Sequence, residues 1–182
     1  MKTLVVVSHP YPDQSTAIKA LQTAAAQCEE VSVRNLEQLY GADINAFDVE
    51  AEQGAAEAAD RIVFLFPIHW FNLTPMLKAY LNQVWSYGWA FGPNGNALRG
   101  KPLQLVVTAG ATAHTYSAAG LIGSSMEEVL TPLQASALYV GMHYLPPLAF
   151  YEAMGRDATT LEQFAERFIT CIRSPLENSA SR

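Results

Sequence analysis

The sequence predicts a doubly wound α/β fold in which five parallel strands follow the order 2-1-3-4-5. Short apolar runs bounded by turn residues alternate with helical patterns at the spacing of βαβ units. Three of these runs are apolar at nearly every position, which is typical of strands buried on both faces of a parallel sheet. The other two are an alternating run and a run with two prolines, both typical of sheet edges.

The five strands are predicted, in chain order, at Thr3–Val7, Val31–Asn35, 62–66, 103–108 and around 144–150. Helices are predicted at roughly 15–27, 50–59, 74–86, 124–140 and 158–173. The first, third and fourth strands are the apolar ones and should be central. Polar residues in the second strand, and Pro146 and Pro147 in the fifth, predict that those two strands are edges. The order 3-2-1-4-5 fits less well, because it would put the apolar third strand on the outside.

Length and composition indicate one domain spanning residues 1–182. The chain has 182 residues, 50% of them hydrophobic, which is enough to bury a core without a disulfide or a metal. Only residues 174–182 are polar enough to form a loose tail. The formal net charge is −6 and the chain contains no Lys/Arg-rich run, so nucleic acid is not an expected partner.

Neither cysteine belongs to a recognisable metal or redox motif. Cys28 and Cys171 lie far apart, without a C-x-x-C and without a histidine at metal-ligand spacing. We therefore expect no metal, and two free thiols in a reducing compartment. The apolar stretch after Met1 is too short for a signal peptide, and no stretch reaches the roughly 20 residues of a membrane span. The expected location is the cytoplasm.

Three loops at one edge of the predicted sheet should form a binding site. In a sheet of this order, ligands bind beyond the carboxyl ends of the first and third strands, with the end of the fourth alongside. The loops occupy 8–18, 67–72 and 108–116. The first loop contains neither G-x-G-x-x-G nor a P-loop, so the fingerprints of dinucleotide and nucleoside triphosphate sites are missing from it.

The first loop carries hydroxyl groups where a helix should begin. Ser15 and Thr16 can donate to an anion while the free N–H groups of that first turn point the same way, and His9 adds a donor. A phosphate monoester fits this pattern. The alternative is structural, with Ser15 as a helix cap and His9 as an ordinary loop histidine.

The second loop carries aromatic rings and the third carries small residues. Trp70 and Phe71 can either stack on a flat heteroaromatic ring or cap the end of the sheet as core. His69 has no metal-ligand partner in sequence, which favours a structural role. The small residues at 108–111 let backbone N–H groups approach the edge of a ligand closely. Together the three loops describe a flavin mononucleotide site, with FAD as the alternative.

Several motifs of this sequence are shared with a known family. They are Ser8-His9-Pro10 with Ser15, Pro67-Ile68-His69-Trp70-Phe71 followed by Pro75-x-Leu77-Lys78, Gly88-Trp89-Ala90-Phe91-Gly92, and the loop from Thr108. Over nearly its whole length the chain resembles the flavodoxin-like NAD(P)H:quinone oxidoreductases. Four shorter motifs are Pro10-Tyr11-Pro12, Gln38-Leu39-Tyr40, Pro132-Leu133-Gln134 and Leu145-Pro146-Pro147. These are most similar to the ancillary flavoprotein subunits of bacterial glutathione-gated potassium efflux systems.

The resemblance implies a role in FMN binding for each loop. It assigns the phosphate to His9, Ser15, Thr16, Ala17 and Ile18, the ring and ribityl chain to Ile68, His69, Trp70 and Phe71, and the ring's polar edge to Thr108, Ala109, Gly110 and Ala111. Tyr116 matches a catalytic tyrosine beside the nicotinamide or quinone. Two positions depart from the family, since Ala111 replaces a glycine and Ile122 replaces a histidine found in some members. His114 is the one substitute near Tyr116 and is the second catalytic candidate.

The resemblance also implies the reaction, a two-electron transfer from NAD(P)H through the flavin to a quinone. One cavity can serve donor and acceptor in turn, which predicts ping-pong kinetics with Tyr116 donating to the quinone oxygen. Two alternatives stay open. One is a regulatory flavoprotein that docks on a potassium-efflux transporter at the inner face of the membrane. The other is a flavodoxin-type electron carrier, disfavoured because the loop after the third strand is aromatic rather than acidic.

An aromatic segment predicts the oligomeric state. Trp85, Tyr87, Trp89 and Phe91 lie in a stretch with several glycines after a predicted helix. So many rings in a loop suggest a covered surface, which a homodimer would supply. Local packing of the loop on its own domain is the alternative.

Overall fold

A computed structural model describes residues 1–174 and contains the predicted sheet. Its strands are β1 (Thr3–Val7), β2 (Val31–Asn35), β3 (Arg61–Pro67), β4 (Pro102–Thr108), β5 (His143–Tyr144) and β6 (Leu148–Phe150). The order is β2-β1-β3-β4-β5, with β6 also paired to β4, and every pairing is parallel. The predicted order 2-1-3-4-5 is therefore confirmed, as are the two edges.

Seven helices connect the strands in the described part of the chain. They are α1 (Thr16–Ala26), α2 (Leu36–Tyr40), α3 (Val49–Ala58), α4 (Pro75–Val84), α5 (Met126–Val129), α6 (Thr131–Tyr139) and α7 (Ala158–Arg173). Every residue of β1, β3 and β4 is buried. Helices α1 and α7 pack on one face of the sheet through residues such as Leu21 and Phe168. Apolar residues of α3, α4 and α6 belong to the core cluster on the opposite face, as a doubly wound sheet requires.

The fifth predicted strand is wrong in one respect, because it is two short strands rather than one. Residues 145–147 separate β5 from β6. Prolines cannot donate a ladder hydrogen bond, so Pro146 and Pro147 interrupt the pairing with β4. The side chain of Gln104 bridges the gap, since its Nε2 donates to the carbonyl oxygen of Pro146 over 2.7 Å. Both short strands remain paired to β4 in the same direction.

One predicted helix is divided in the structure, and one helix of the structure has no counterpart among the predictions. The helix predicted over 124–140 is the pair α5 and α6, which divides at Leu130. Pro132 explains the division, because in a continuous helix its ring would clash with the carbonyl group four residues earlier. Helix α2 was not predicted. It has only five residues, and the side chain of Asn35 begins it by accepting a hydrogen bond from the Gln38 N–H.

The described residues hold neither a membrane-spanning helix nor a metal site. Between residues 1 and 174, no helix is both long enough and apolar enough to cross a bilayer. The same residues contain no group of three His, Cys, Asp or Glu side chains arranged to hold a metal. Cys28 and Cys171 are free thiols, as predicted. The predicted loose tail begins at Ser174, whose N–H is bonded to the Thr170 carbonyl, and residues 175–182 lie outside the described part.

A buried arginine holds the end of α7 on the sheet. Arg61, the first residue of β3, is 2% exposed. Its guanidinium donates to the carbonyl oxygens of Cys171, Ile172 and Ser174 at 3.2, 2.5 and 2.7 Å. These carbonyls have no partner within a helix because they lie at its end, and a cation is also favoured there by the helix dipole.

We expect Arg61→Met to destabilise the fold by about 2–4 kcal/mol, because buried carbonyl groups lose their charged donor. Chemical denaturation of the flavin-free protein measures this free energy of unfolding. The matched control is Arg99→Met, since Arg99 is exposed and should contribute little. An equal, small effect at both positions would show that Arg61 does not stabilise α7.

Candidate functional site

The loops that the sequence predicts to meet do surround one cavity, at the carboxyl edge of β1, β3 and β4. Its volume is about 330 Å³. The wall comprises His9, Tyr11, Gln14, Ser15, Thr16, Ala17, Pro67, Ile68, His69, Thr108, Ala109, Gly110, Ala153, Met154 and Gly155. Among the predicted site residues, Ile18, Trp70, Phe71, Ala111, His114 and Tyr116 do not line it.

A fourth connection completes the wall, and sequence reasoning missed it. The residues that follow β6 lie against the loop after β4 and contribute Ala153, Met154 and Gly155 to the wall. Because β6 is parallel to β4, its carboxyl end reaches the same edge of the sheet. The predicted strand around 144–150 already implied this position. Extending the edge rule from three strands to all the strands would have identified the segment.

One end of the cavity presents hydrogen-bond donors at the start of α1. Ser15 is the N-cap, as the structural alternative predicts, and its Oγ accepts from the Ile18 N–H over 3.2 Å. The Ile18 amide is therefore already bonded, and the Ile18 side chain lies in the core. The Ser15 hydroxyl proton and the first-turn amides of Thr16 and Ala17 remain as donors toward an anion.

His9 is a neutral donor at the same end of the cavity. Its Nδ1 accepts from the Tyr11 N–H over 2.9 Å, so the proton of the neutral ring is on Nε2. Burial and the nearby His69, whose ring centroid is 5.8 Å away, lower the pKa of His9 from 6.5 to about 4. At neutral pH the side chain therefore donates through Nε2–H without a positive charge of its own.

The lowered pKa of His9 makes the stability of the flavin-free protein depend on pH. The unfolded chain binds a proton at His9 below pH 6.5, whereas the folded chain does so only near pH 4. Stability from this residue is therefore fully present above pH 6.5 and decreases as the pH falls toward 4. We expect the free energy of unfolding of the wild type, relative to His9→Gln, to decrease by about 1–2 kcal/mol across that window.

Denaturant unfolding at several pH values between 7 and 4 tests this difference. The comparison with His9→Gln cancels the carboxylates that titrate in the same range. His143 is exposed, so His143→Gln is the matched control for removing a histidine. Parallel curves for the wild type and His9→Gln would contradict the assignment of a buried, neutral His9.

The aromatic loop after β3 is a tight turn. Trp70 and Phe71 have φ angles of +48° and +60°, and His69 and Asn72 exchange backbone hydrogen bonds of 3.1 and 3.3 Å across them. Consecutive left-handed residues are costly outside glycine, by about 1–2 kcal/mol each. Trp70 is 94% exposed and Phe71 is 44% exposed. The alternative in which both rings cap the sheet as core is therefore wrong.

Phe71 belongs to a row of three rings beside the cavity. Its ring centroid lies 6.1 Å from that of Tyr116, and the ring of Tyr116 lies 5.7 Å from that of Tyr151. Tyr116 is buried, and burial together with Tyr151 raises its pKa above the usual value of 10. The phenol is therefore a protonated hydrogen-bond donor at neutral pH.

The loop after β4 is held by the fourth connection. The Ala109 N–H donates to the Phe150 carbonyl over 2.9 Å, so this amide is not available to a ligand. The N–H groups of Glu152 and Ala153 donate to the carbonyls of Ala111 and Ala109, both over 3.0 Å. The N–H groups of Gly110 and Ala111 donate no backbone hydrogen bond among residues 1–174. They are the remaining donors at this edge.

The two departures from the family pattern are accommodated by the fold. Ala111 has no positive φ angle, so glycine is not required there, and its side chain packs against the core. Ile122 also packs against the apolar cluster that contains Tyr116. His114, the proposed substitute for the missing histidine, is exposed and does not line the cavity.

The arrangement fits the cofactor that the sequence suggests. The donors at one end of the cavity are the neutral His9 ring, the Ser15 hydroxyl and the first N–H groups of α1, and a phosphate monoester would bind there. Thr108, Ala109 and Gly110 also line the cavity, and their small side chains let a flat ring approach the backbone. Adding a Cβ at Gly110 would bring it within 3.1 Å of the Met154 sulfur. Met154 is exposed, so its flexible side chain can shift to accept a methyl group there.

Two curated relatives cover most of this chain. The glutathione-regulated potassium-efflux system ancillary protein KefF of Klebsiella pneumoniae is 40% identical over 165 residues, 91% of each chain. The uncharacterized NAD(P)H oxidoreductase YdeQ of Bacillus subtilis is 39% identical over 169 residues, 93% of this chain and 85% of the relative.

Solved structures are similar over nearly the full length. General stress protein 14 of Treponema denticola, in complex with FMN, has a TM-score of 0.87 at 36% identity and covers 94% and 98% of the two chains. An NADPH-quinone reductase from P. pentosaceus has a TM-score of 0.86 at 26% identity, covering 96% and 99%. A protein described as a thermophilic tryptophan halogenase from Streptomycin violaceusniger has a TM-score of 0.90 at 38% identity, covering 95% and 99%.

These relatives carry different functional names on one fold, so the fold alone does not select the reaction. The family assignment does not depend on that choice. The Flavodoxin_2 family, described by its flavodoxin-like fold, matches residues 1–171. The resemblance seen in the motifs is confirmed, and the chain belongs to the Flavodoxin_2 family.

Proposed function

We propose that the protein is an FMN-dependent NAD(P)H:quinone oxidoreductase. The observation that carries this proposal is the pairing, at one edge of the sheet, of a donor-lined end with a row of aromatic rings. His9, Ser15 and the start of α1 match a phosphate monoester. The neighbouring rings of Phe71 and Tyr116 are suited to pack against the flat flavin ring and against the quinone that must lie on it. Relatives named NAD(P)H oxidoreductase and NADPH-quinone reductase support the same reaction class.

Bound FMN supplies the hydride chemistry, and the residues of this chain supply binding, orientation and a proton. The Nε2–H of His9, the Ser15 hydroxyl and the amides of Thr16 and Ala17 hold the phosphate. Gly110 orients the polar edge of the ring through its free N–H, and the free N–H of Ala111 lies next to it in the chain, just beyond the cavity wall. Tyr116 donates a hydrogen bond to the quinone oxygen where negative charge develops. A single site that admits NAD(P)H and the quinone in turn would give ping-pong kinetics.

The proposal is tested first by flavin retention and then by enzymatic turnover. Purified protein mixed with FMN, FAD or riboflavin and passed over a desalting column should retain FMN, identified by its visible spectrum. The FMN-loaded protein should then oxidise NADH or NADPH only when a quinone is added under anaerobic conditions. Protein that retains no flavin would refute the cofactor, and protein that retains FMN but reduces no quinone would refute the reaction.

We also propose a homodimer. Trp85 is buried against Phe64, and Trp89 and Phe91 are partly buried against the same core cluster, so the local-packing alternative holds for these three rings. Tyr87 and Tyr139 are 70% and 75% exposed, and a groove of about 530 Å³ runs between α4 and α6 beside Tyr139. An exposed aromatic surface of this kind is typical of protein interfaces. Wild type should sediment as a dimer and Tyr139→Glu as a monomer; a monomeric wild type would contradict the proposal.

A regulatory role is the second candidate, and the 40% identity to KefF favours it. In this role the flavoprotein docks on a potassium-efflux transporter at the cytoplasmic face of the membrane, and turnover is incidental. Purified protein with and without FMN can be tested for binding to the soluble domain of such a transporter. Binding together with a negligible quinone rate would favour this role over that of a free-standing enzyme.

A further inference from the structure

The connection that completes the cavity wall presents a methionine to solvent. Met154 is 81% exposed and lines the cavity. Met76, Met126 and Met142 are buried in the core, and Met1 precedes β1 at the opposite edge of the sheet. Among residues 1–174, Met154 is therefore the one methionine whose sulfur is open to solvent beside the flavin site.

A closed turn holds the backbone of Met154 in this position. Before it, the Ala153 N–H donates to the Ala109 carbonyl over 3.0 Å, which fixes the chain against the loop after β4. After it, Nη2 of Arg156 lies 3.2 Å from the Glu152 carboxylate, and Nε of Arg156 donates to the Glu152 carbonyl. Met154 lies at the tip of the turn between these contacts, so its flexible side chain is presented at the cavity wall.

The sulfur of Met154 lies beside Gly110. A Cβ placed on Gly110 would be 3.1 Å from this sulfur. That position is two bonds from the Gly110 nitrogen, whose N–H donates no backbone hydrogen bond among residues 1–174. The same N–H is the donor that orients the polar edge of FMN in the proposed function. A thioether sulfur is only a weak acceptor, so Met154 competes little for this N–H.

We infer that Met154 is an oxidation site whose sulfoxide lowers the affinity of the cavity for FMN, which rests on the FMN binding of the proposed function. The oxidant is hydrogen peroxide, which forms when reduced flavin passes two electrons and two protons to oxygen instead of reducing a quinone. The O–O bond of the peroxide breaks and one oxygen atom bonds to the sulfur, giving methionine sulfoxide and water. The sulfur loses two electrons, and the peroxide gains them.

The sulfoxide changes the chemistry beside Gly110. It converts an apolar side chain into a polar one, and its oxygen is a strong hydrogen-bond acceptor. One bond separates this oxygen from the sulfur, so rotation of the flexible Met154 side chain brings it to the free Gly110 N–H. That N–H is then no longer available to the flavin. The effect is local, because the methionines of the core stay buried.

Peroxide treatment of the full-length, flavin-free protein tests the site. Peptide mass spectrometry over a series of peroxide doses should show Met154 oxidised about tenfold faster than Met76, Met126 and Met142. Fluorescence titration of the same samples should show FMN binding about three- to tenfold weaker. Methionine sulfoxide reductases for both epimers should restore the affinity. Oxidation of Met154 no faster than that of the buried methionines would overturn the site.

Two substitutions separate the sulfoxide from general oxidative damage. Met154→Leu keeps an apolar side chain without sulfur, so its FMN affinity should be the same before and after peroxide. Met154→Gln carries a carbonyl oxygen where the sulfoxide oxygen would be, and untreated it should bind FMN about three- to tenfold more weakly than Met154→Leu. Leu121→Gln is the matched control, because Leu121 is exposed outside the cavity wall. It should bind FMN like the wild type.

Two results of these titrations would overturn the effect on FMN. One is an equal loss of affinity after peroxide in the wild type and in Met154→Leu. The other is an equal affinity of Met154→Gln and Met154→Leu. The source of the peroxide is tested with FMN-loaded protein and NAD(P)H, which should accumulate Met154 sulfoxide in air and not under anaerobic conditions. Consumption of NAD(P)H in air without sulfoxide at Met154 would overturn the flavin as the source.

The outcomes also separate this inference from the proposed function. Protein that retains no flavin overturns both. Protein that retains FMN but reduces no quinone overturns the reaction alone, because added peroxide still oxidises Met154 and the FMN titration still reports the effect. Protein that reduces quinone, but whose FMN affinity does not respond to oxidation of Met154, overturns this inference alone.

Discussion

Replacing Thr16 by aspartate should weaken FMN binding about a hundredfold while leaving riboflavin binding unchanged. Thr16 is the first residue of α1, is exposed, and lines the donor end of the cavity. A carboxylate there would face the phosphate dianion, a repulsion of about 3 kcal/mol at such a partly solvated site. Riboflavin has no phosphate and so is not repelled.

The fold should tolerate this change, because acidic residues are favourable in the first turn of a helix. Fluorescence titration with FMN and with riboflavin, at matched ionic strength, measures both affinities. The control is Thr23→Asp, which adds the same charge on an exposed position of the same helix, outside the cavity wall. Equal weakening of both flavins by Thr16→Asp would contradict a phosphate site at α1.

The central part of the fold could be predicted because burial on both faces leaves a plain signature. Strands β1, β3 and β4 are buried throughout and mostly apolar, and each lies within one residue of its predicted bounds. The order of strands followed from the edges, where Ser32 alternates with valines and where prolines interrupt pairing. These features are local in sequence, so they require no knowledge of packing.

Predictions failed where the outcome depends on contacts distant in sequence. The gap between β5 and β6 is bridged by Gln104, which lies 42 residues from Pro146. Helix α2 is shorter than two turns, so it is too short to show the helical periodicity of apolar residues from which a helix is predicted. The helix is stabilised by packing instead, since its first residue, Leu36, is fully buried.

The site was predicted to the level of loops but not of individual atoms. A strand order fixes which connections meet, and this is why His9, Ser15 and Gly110 line one cavity. It does not fix which amides are already bonded. The Ala109 N–H donates to the Phe150 carbonyl, and the Ile18 N–H donates to the Ser15 hydroxyl oxygen. Side-chain exposure is equally non-local, as the 94% exposure of Trp70 shows.

Removing the Tyr116 hydroxyl should have the largest effect on catalysis. We expect Tyr116→Phe to slow quinone reduction about a hundredfold, since losing one donor to a developing oxyanion typically costs a factor of this size. The ring remains, so its contacts with Phe71 and Tyr151 should persist. FMN content and the spectrum of the bound flavin should match the wild type.

Stopped-flow measurement of the two half-reactions locates the effect. Reduction of the bound flavin by NAD(P)H requires no proton from Tyr116 and should proceed at the wild-type rate, whereas reoxidation by the quinone should be slow. Tyr144→Phe is the control for a missing phenol, because the buried Tyr144 hydroxyl has no hydrogen-bond partner among the described residues. If reoxidation in Tyr116→Phe is as fast as in the wild type, the quinone receives its proton from solvent and not from Tyr116. The row of rings then serves only to orient the acceptor.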